Sequence, residues 1–158
     1  MPGTREIAAS ACGGVVASFA MDVVQDAWRA CFERRRSPGD LDEEVEAIAA
    51  VVRVLATFVP SLASERRARM AARSLHYFFG VGFAAGYVAA VPRVPMLASA
   101  GGLAFGTGLF LLSDRILIPM LKLGRSWERY SRAERLNALA SHVAYGVVLE
   151  AVRARVVA

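Results

Sequence analysis

Four apolar blocks, at about residues 7–28, 72–91, 95–114 and 136–153, constrain this chain more than any other feature. A helix crossing a hydrocarbon core needs roughly 20 mostly apolar residues, and each block is near that length. "ARSLHYFFGVGFAAGYVAAV" (72–91) and "PMLASAGGLAFGTGLFLLSD" (95–114) carry the pattern most clearly. The first and fourth blocks also contain acids. Hydrophobic residues make up 56% of the 158, above the roughly 45–50% of soluble domains. The blocks predict an all-α fold: an integral membrane four-helix bundle, one membrane domain over 1–158. A cleaved signal peptide is the other reading of block one, with "SFA" (18–20) as its cleavage site. Glu6 offsets Arg5, so the positive leader is missing, and the remaining chain still needs a membrane.

Blocks one and two are joined by a different kind of segment. "RRRSPGD" reads as a turn, and Asp40 followed by Glu43 resembles a capping box. Leu41, Val45, Ile48, Val52, Leu55 and Val59 then recur at spacings of three and four, one apolar helical stripe. Pro60 stops it. The stripe predicts an amphipathic helix at about 41–59, lying on the membrane surface or on the end of the bundle. The helix of a small soluble domain would show the same stripe.

The net charge is +5 and the isoelectric point near 9.9, values that first suggest nucleic acid. The distribution argues otherwise. Nine Lys and Arg fall in 29–73 and six in 115–135, against four elsewhere (Arg5, Arg93, Arg153, Arg155). Cytoplasmic loops collect such charge. Both long loops are therefore assigned to the cytoplasm, both termini to the outside, and no nucleic-acid partner is expected. Cys12 and Cys31 are nineteen residues apart, roughly 28 Å along a helix and too far for a disulfide.

That orientation gives depth to the ionisable groups. At 1.5 Å per residue, Asp22 sits about 9 Å inside the cytoplasmic end of block one and His142 about 9 Å inside that of block four. Asp26, His76 and Asp114 are shallower, at the same side. Rows of fours place them on faces rich in small residues: Gly14, Ser18, Asp22, Asp26; Ala72, His76, Gly80, Ala84; Gly102, Gly106, Phe110, Asp114; Ala138, His142, Gly146, Glu150. Small residues every fourth position let membrane helices approach closely. Gly14, Gly80, Gly102, Gly106 and Gly146 are expected at helix contacts. Gly82 and Gly86 are expected to pack as well, and the rows Gly82-x3-Gly86 and Gly102-x3-Gly106 also suit docking of another membrane protein. The five polar groups are then expected to meet inside the bundle, with Asp22 and His142 as the deepest pair.

These spacings together resemble the YagU-like family of small bacterial inner-membrane proteins. The resemblance rests on "GGVVASF" (13–19) leading to an acidic end and "RSP" (36–38); on His76 with Gly86-Tyr87; on Gly102-x3-Gly106 with Pro119; and on His142 with Glu150 and Arg153. It covers all four blocks. It implies an integral bundle of the bacterial inner membrane and no established activity. Two positions depart from the pattern. Arg34-Arg35 stand where prolines are expected, and Asp114 stands where a histidine is expected.

Several chemistries fit the Asp22, Asp26, His76, Asp114 and His142 cluster. Interhelical hydrogen bonds that fix register need nothing more, and suit a structural or accessory membrane protein, alone, as a homo-oligomer or in a larger complex. Intramembrane Asp and His also mark proton and ion paths. Two His and several Asp suit Zn, Mn or Fe by ligand type, although no HxxxH or CxxC spacing is present. A haem held by His76 and His142 needs a roomy pocket. No nucleophile elbow, catalytic triad or phosphate loop is seen, so no enzymatic activity and no cofactor are expected.

Overall fold

Prolines end two of the helices. A computed structural model describes residues 4–32, 43–123 and 127–157. Helix α1 (Thr4–Phe32) runs 29 residues without an internal proline. Helix α2 (Glu43–Phe58) ends before Pro60, because the residue preceding a proline is pushed out of the helical region. Val59 there has φ −125° and ψ 84°. Helix α3 (Glu65–Ala90) gives way at the Pro92 turn. Helix α4 (Leu103–Leu112) continues through a π-helical turn at Ser113–Leu117 and a last helical stretch at Ile118–Met120. Helix α5 (Arg132–Val157) opens on a reciprocal capping box. Glu134 N–H donates to Ser131 Oγ at 3.2 Å, and Ser131 N–H donates to Glu134 Oε2 at 2.6 Å. No strand occurs among the described residues.

Neighbouring helices run in opposite directions. Gly13, early in α1, meets Leu149 and Val152 late in α5. Asp22, late in α1, meets residues early in α3. α1 packs on both α3 and α5, α4 packs chiefly on α5, and α2 lies against α3. Small residues make these approaches close. A carbon added at Gly14 would stand 2.6 Å from Val81 Cα. At Gly106 it would meet the His142 carbonyl and stand 2.8 Å from Val143 Cα. Gly102 and Gly146 approach each other's backbones, and Gly80 meets Ser18. Gly82 and Gly86 differ from all of these, Gly102 and Gly106 of the second docking row included: no other group of the described residues lies within 4 Å of a carbon added at either, so they face outward.

Several expectations change in detail. Block three does not begin as an α-helix. Pro95–Gly102 winds in 3-10 turns broken at Ser99, Ala100 and Gly101, and α4 starts only at Leu103. The apolar helix is also longer at its other end, reaching Met120. Pro95–Met120, 26 residues, is the one described stretch both long and apolar enough to cross a membrane. α1, α3 and α5 have the length but, over their described residues, not the apolarity. On α2, Val52 is buried and Ile48 half-buried, while Leu55 and Val59 are exposed. The predicted stripe therefore packs only in part. The "RRRSPGD" turn, Asp40 of the capping box, Leu41 and Arg125 lie outside the described residues.

Candidate functional site

Two carboxylate–histidine pairs form at one end of the bundle. The first joins α1 to α3. Asp22 Oδ1 lies 3.3 Å from His76 Nε2, Tyr77 donates its hydroxyl to Asp22 Oδ2 at 2.9 Å, and Arg73 approaches Oδ2 to 3.9 Å. Arg73, His76 and Tyr77 fall within little more than one turn of α3, so a single carboxylate on the facing helix reaches all three.

The second pair joins α4 to α5 and is the more deeply buried. The side chains of His142 and Asp114 are 6% and 2% exposed, and His142 Nδ1 lies 3.7 Å from Asp114 Oδ2. Nδ1 also faces the Ala138 carbonyl at 2.9 Å. A carbonyl only accepts, so that nitrogen carries a hydrogen. Nε2 lies 3.1 Å from Ser113 Oγ. Ser113 in turn stands 2.9 Å from Asp114 Oδ1 and 2.9 Å from the Leu109 carbonyl, and its single hydrogen serves one of these at a time. Ser113 Oγ thus stands within hydrogen-bond distance of both the imidazole and the carboxylate, and its one hydrogen bonds one of them at a time.

The local cause is the π turn that carries Ser113 and Asp114. Pro119 lacks an N–H and crowds the carbonyl four residues earlier, that of Arg115. The helix widens just there. Such turns recur at functional sites.

The expected direct pairing of Asp22 with His142 is replaced by these two pairs, Asp22 with His76 and His142 with Asp114. Asp26 leaves the cluster. Its side chain is 77% exposed and pairs locally with Arg29 at 3.3 Å. A step of four residues turns the face by about 40° on a helix of 3.6 residues per turn, enough to carry Asp26 off the face that holds Asp22.

His76 and the second pair border one cavity of about 230 Å³. Most of its wall is apolar, from Ile48 and Val51 of α2 to Phe79 and Phe83 of α3. Ser18, Ser113 and Tyr145 add hydroxyls. Tyr145 is 2% exposed and donates to the Gly80 carbonyl. A second, more polar cleft on the far side of His76 is bordered by Asp22, Asp26, Arg29, Arg69 and Arg73. Among the described residues, no three His, Cys, Asp or Glu side chains converge so as to hold a metal ion. A metal or haem iron at His142 would have to displace Ser113 or the Ala138 carbonyl.

Sequence reasoning did not single out Tyr77, Arg73, Ser113 or Tyr145. Ser113 borders Asp114 in sequence, and Tyr145 lies three residues beyond His142, one helical turn on the same side. Those positions were the available signal. At the opposite end, Glu150 forms a bidentate pair with Arg153 at 2.6 and 2.7 Å. It also accepts a hydrogen bond from the Tyr87 hydroxyl of α3 at 2.7 Å. The local Glu150–Arg153 pair was legible from its spacing, but the tie to Tyr87 was not.

The chain matches no family model, no curated protein and no solved structure.

Proposed function

We propose that the protein is a small multi-pass protein of the bacterial inner membrane, without enzymatic activity of its own, serving as a structural or accessory component. In this reading four helices span the bilayer, both termini lie outside, and α2 lies on the cytoplasmic face. The Asp/His pairs then tie the helices together in the cytoplasmic third. The observation that carries it is the apolar outer surface of the bundle. The inward face of α1 holds mostly small and polar residues, Ser10, Gly13, Gly14, Ala17, Ser18 and Gln25 with Met21, while Val15, Val16, Phe19 and Val23 point outward. Phe78 on α3 is 72% exposed, and Leu111 and Ile116 on the α4 rod are about half exposed. Water penalises that arrangement, whereas lipid accepts large apolar side chains and small or polar contacts between helices. The resemblance to the YagU-like family and the positive-inside asymmetry support the same reading. The outward Gly82-x3-Gly86 row suits docking of a second copy or of another membrane protein.

A second reading is favoured by the His142–Ser113–Asp114 grouping: proton handling through the cluster, a common role for ionisable groups within membranes. Reporter fusions at each terminus and after Pro38 test the topology. Both termini are expected outside and the Pro38 fusion inside, and cytoplasmic termini would reject the orientation. Asp22→Asn and His142→Gln separate the two roles. If the cluster is structural, cellular function falls in step with thermal stability. A proton relay loses function in a protein that still inserts and melts as before.

A further inference from the structure

The cavity has three properties that together describe a ligand. Its wall is largely apolar, with Phe79 and Phe83 contributing aromatic rings. It is bordered by one carboxylate, Asp114, and by the imidazoles of His76 and His142, and among the described residues no Lys or Arg borders it. Ser18 Oγ, fully buried on α1, is at its edge with no hydrogen-bond partner among the described residues. A buried polar group without a partner is destabilising, so such a group at a cavity wall marks a place where a partner fits.

We propose that this cavity is a binding site for a small lipophilic monocation, a primary ammonium on a single apolar ring. An ammonium carries three donors and no acceptor. One is suited to the Asp114 carboxylate and another to the Ser18 oxygen, while the aromatic rings favour a cation at their faces. An anion would confront the carboxylate at low dielectric. A neutral hydrocarbon would leave Ser18 unsatisfied. Size agrees: an apolar cavity of about 150 Å³ admits benzene, and the space of about 230 Å³ here admits a ring bearing one short substituent. Ile48 and Val51 place α2 along one side of the site. The inference goes beyond the accessory reading and shares its cavity with the proton reading. Its test reads binding by the purified chain, so failure here leaves the topology untouched.

The full chain in detergent micelles is titrated calorimetrically with benzylammonium, with benzyl alcohol as the neutral analogue and benzoate as the anion. Benzylammonium is expected to bind about tenfold more tightly than benzyl alcohol, the scale set by one charge-assisted hydrogen bond, and benzoate not at all. Asp114→Asn should erase the tenfold preference while retaining benzyl alcohol binding. Val51→Trp, which fills the cavity from α2, should abolish binding of both. The wild-type ranking of the three probes is a test in itself, independent of whether the Asp114 variant folds. Equal affinity for benzylammonium and benzyl alcohol, binding of benzoate as tight as either, or no binding of any probe would overturn the proposal. So would a benzylammonium preference that persists in a folded Val51→Trp protein, since that would place the site elsewhere.

Discussion

Asp114 owes its position to an irregularity in its own helix, and the same helix carries a second irregularity at its start. Gly102, Gly106, Phe110, Asp114 and Ile118 are all buried. On an ideal α-helix a row of fours drifts by about 40° at each step, which would turn its far end away from α5. The π turn at Ser113–Leu117 widens the helix and corrects the drift, so Asp114 still faces His142. At the other end the chain reverses through left-handed conformations at Ala100 (φ 52°), Gly101 (φ 65°) and Gly102 (φ 91°). Two of the three are glycines, which enter that region freely. Ala100 is not, and an L side chain there costs roughly 1–2 kcal/mol. Ala100 is also exposed, so its methyl group contributes little packing. Ala100→Gly is therefore expected to stabilise the protein by about 1 kcal/mol, partly offset by the greater freedom of glycine in the unfolded chain. A rise of roughly 2–4 °C in the melting temperature would register it. An unchanged or lower melting temperature would mean that the turn is not strained at this position.

The helices are held together where backbones touch, and glycines on a single helix separate contact from surface. Gly106 and Gly108 both lie within α4. A methyl group at Gly106 would collide with the backbone of α5 at His142 and Val143, whereas at Gly108 no other group of the described residues lies within 4 Å. Alanine favours a helix over glycine by about 0.5–1 kcal/mol, and forcing bulk into a close contact costs about 1–3 kcal/mol. The two substitutions should therefore have opposite signs. Gly106→Ala should lower thermal stability by about 1 kcal/mol or more, and Gly108→Ala should raise it slightly. The same sign for both in a detergent melting assay would rule out packing through this face. The Gly106 contact was legible in the sequence because a small residue every fourth position records a face. Helix existence was legible for the same reason, since apolar blocks of about twenty residues leave few other folds. What stayed hidden depends on local turns and on partner choice. The 3-10 winding of Pro95–Gly102 and the π turn change register without an unmistakable residue signal. Depth and face alone brought Asp22, His76, Asp114 and His142 to one end of the bundle. They did not say which histidine each aspartate would take, because that follows from which helices are neighbours. α1 meets α3 through Gly14 and Gly80, and α4 meets α5 through Gly106 and Gly146; the pairs follow those contacts.

For the molecule as a whole, its two cysteines distinguish a surface in water from a surface in lipid. Both Cys12 and Cys31 are exposed free thiols at the surface of α1. Exposure at the surface of the chain means contact with solvent for a protein in water. It means contact with acyl chains for a protein in a bilayer. The proposed topology puts Cys12 about 7 Å inside the outer boundary of block one, counting from Ile7 at 1.5 Å per residue, and Cys31 beyond its cytoplasmic end. Maleimides react with thiolates, and a thiol surrounded by hydrocarbon does not meet a charged, water-soluble reagent. A charged maleimide applied to intact native membranes should therefore label neither cysteine: Cys12 is in lipid and Cys31 is on the inaccessible side. Applied to inverted vesicles, it should label Cys31 and still spare Cys12, a difference read by using Cys12→Ser and Cys31→Ser variants singly. After solubilisation and denaturation both should react, which shows that neither thiol is blocked chemically. Equal labelling of both cysteines in inverted vesicles, or release of the chain from the membrane by alkaline carbonate, would mean that the outward Val15, Val16, Phe19 and Val23 of α1 are covered by protein rather than by lipid.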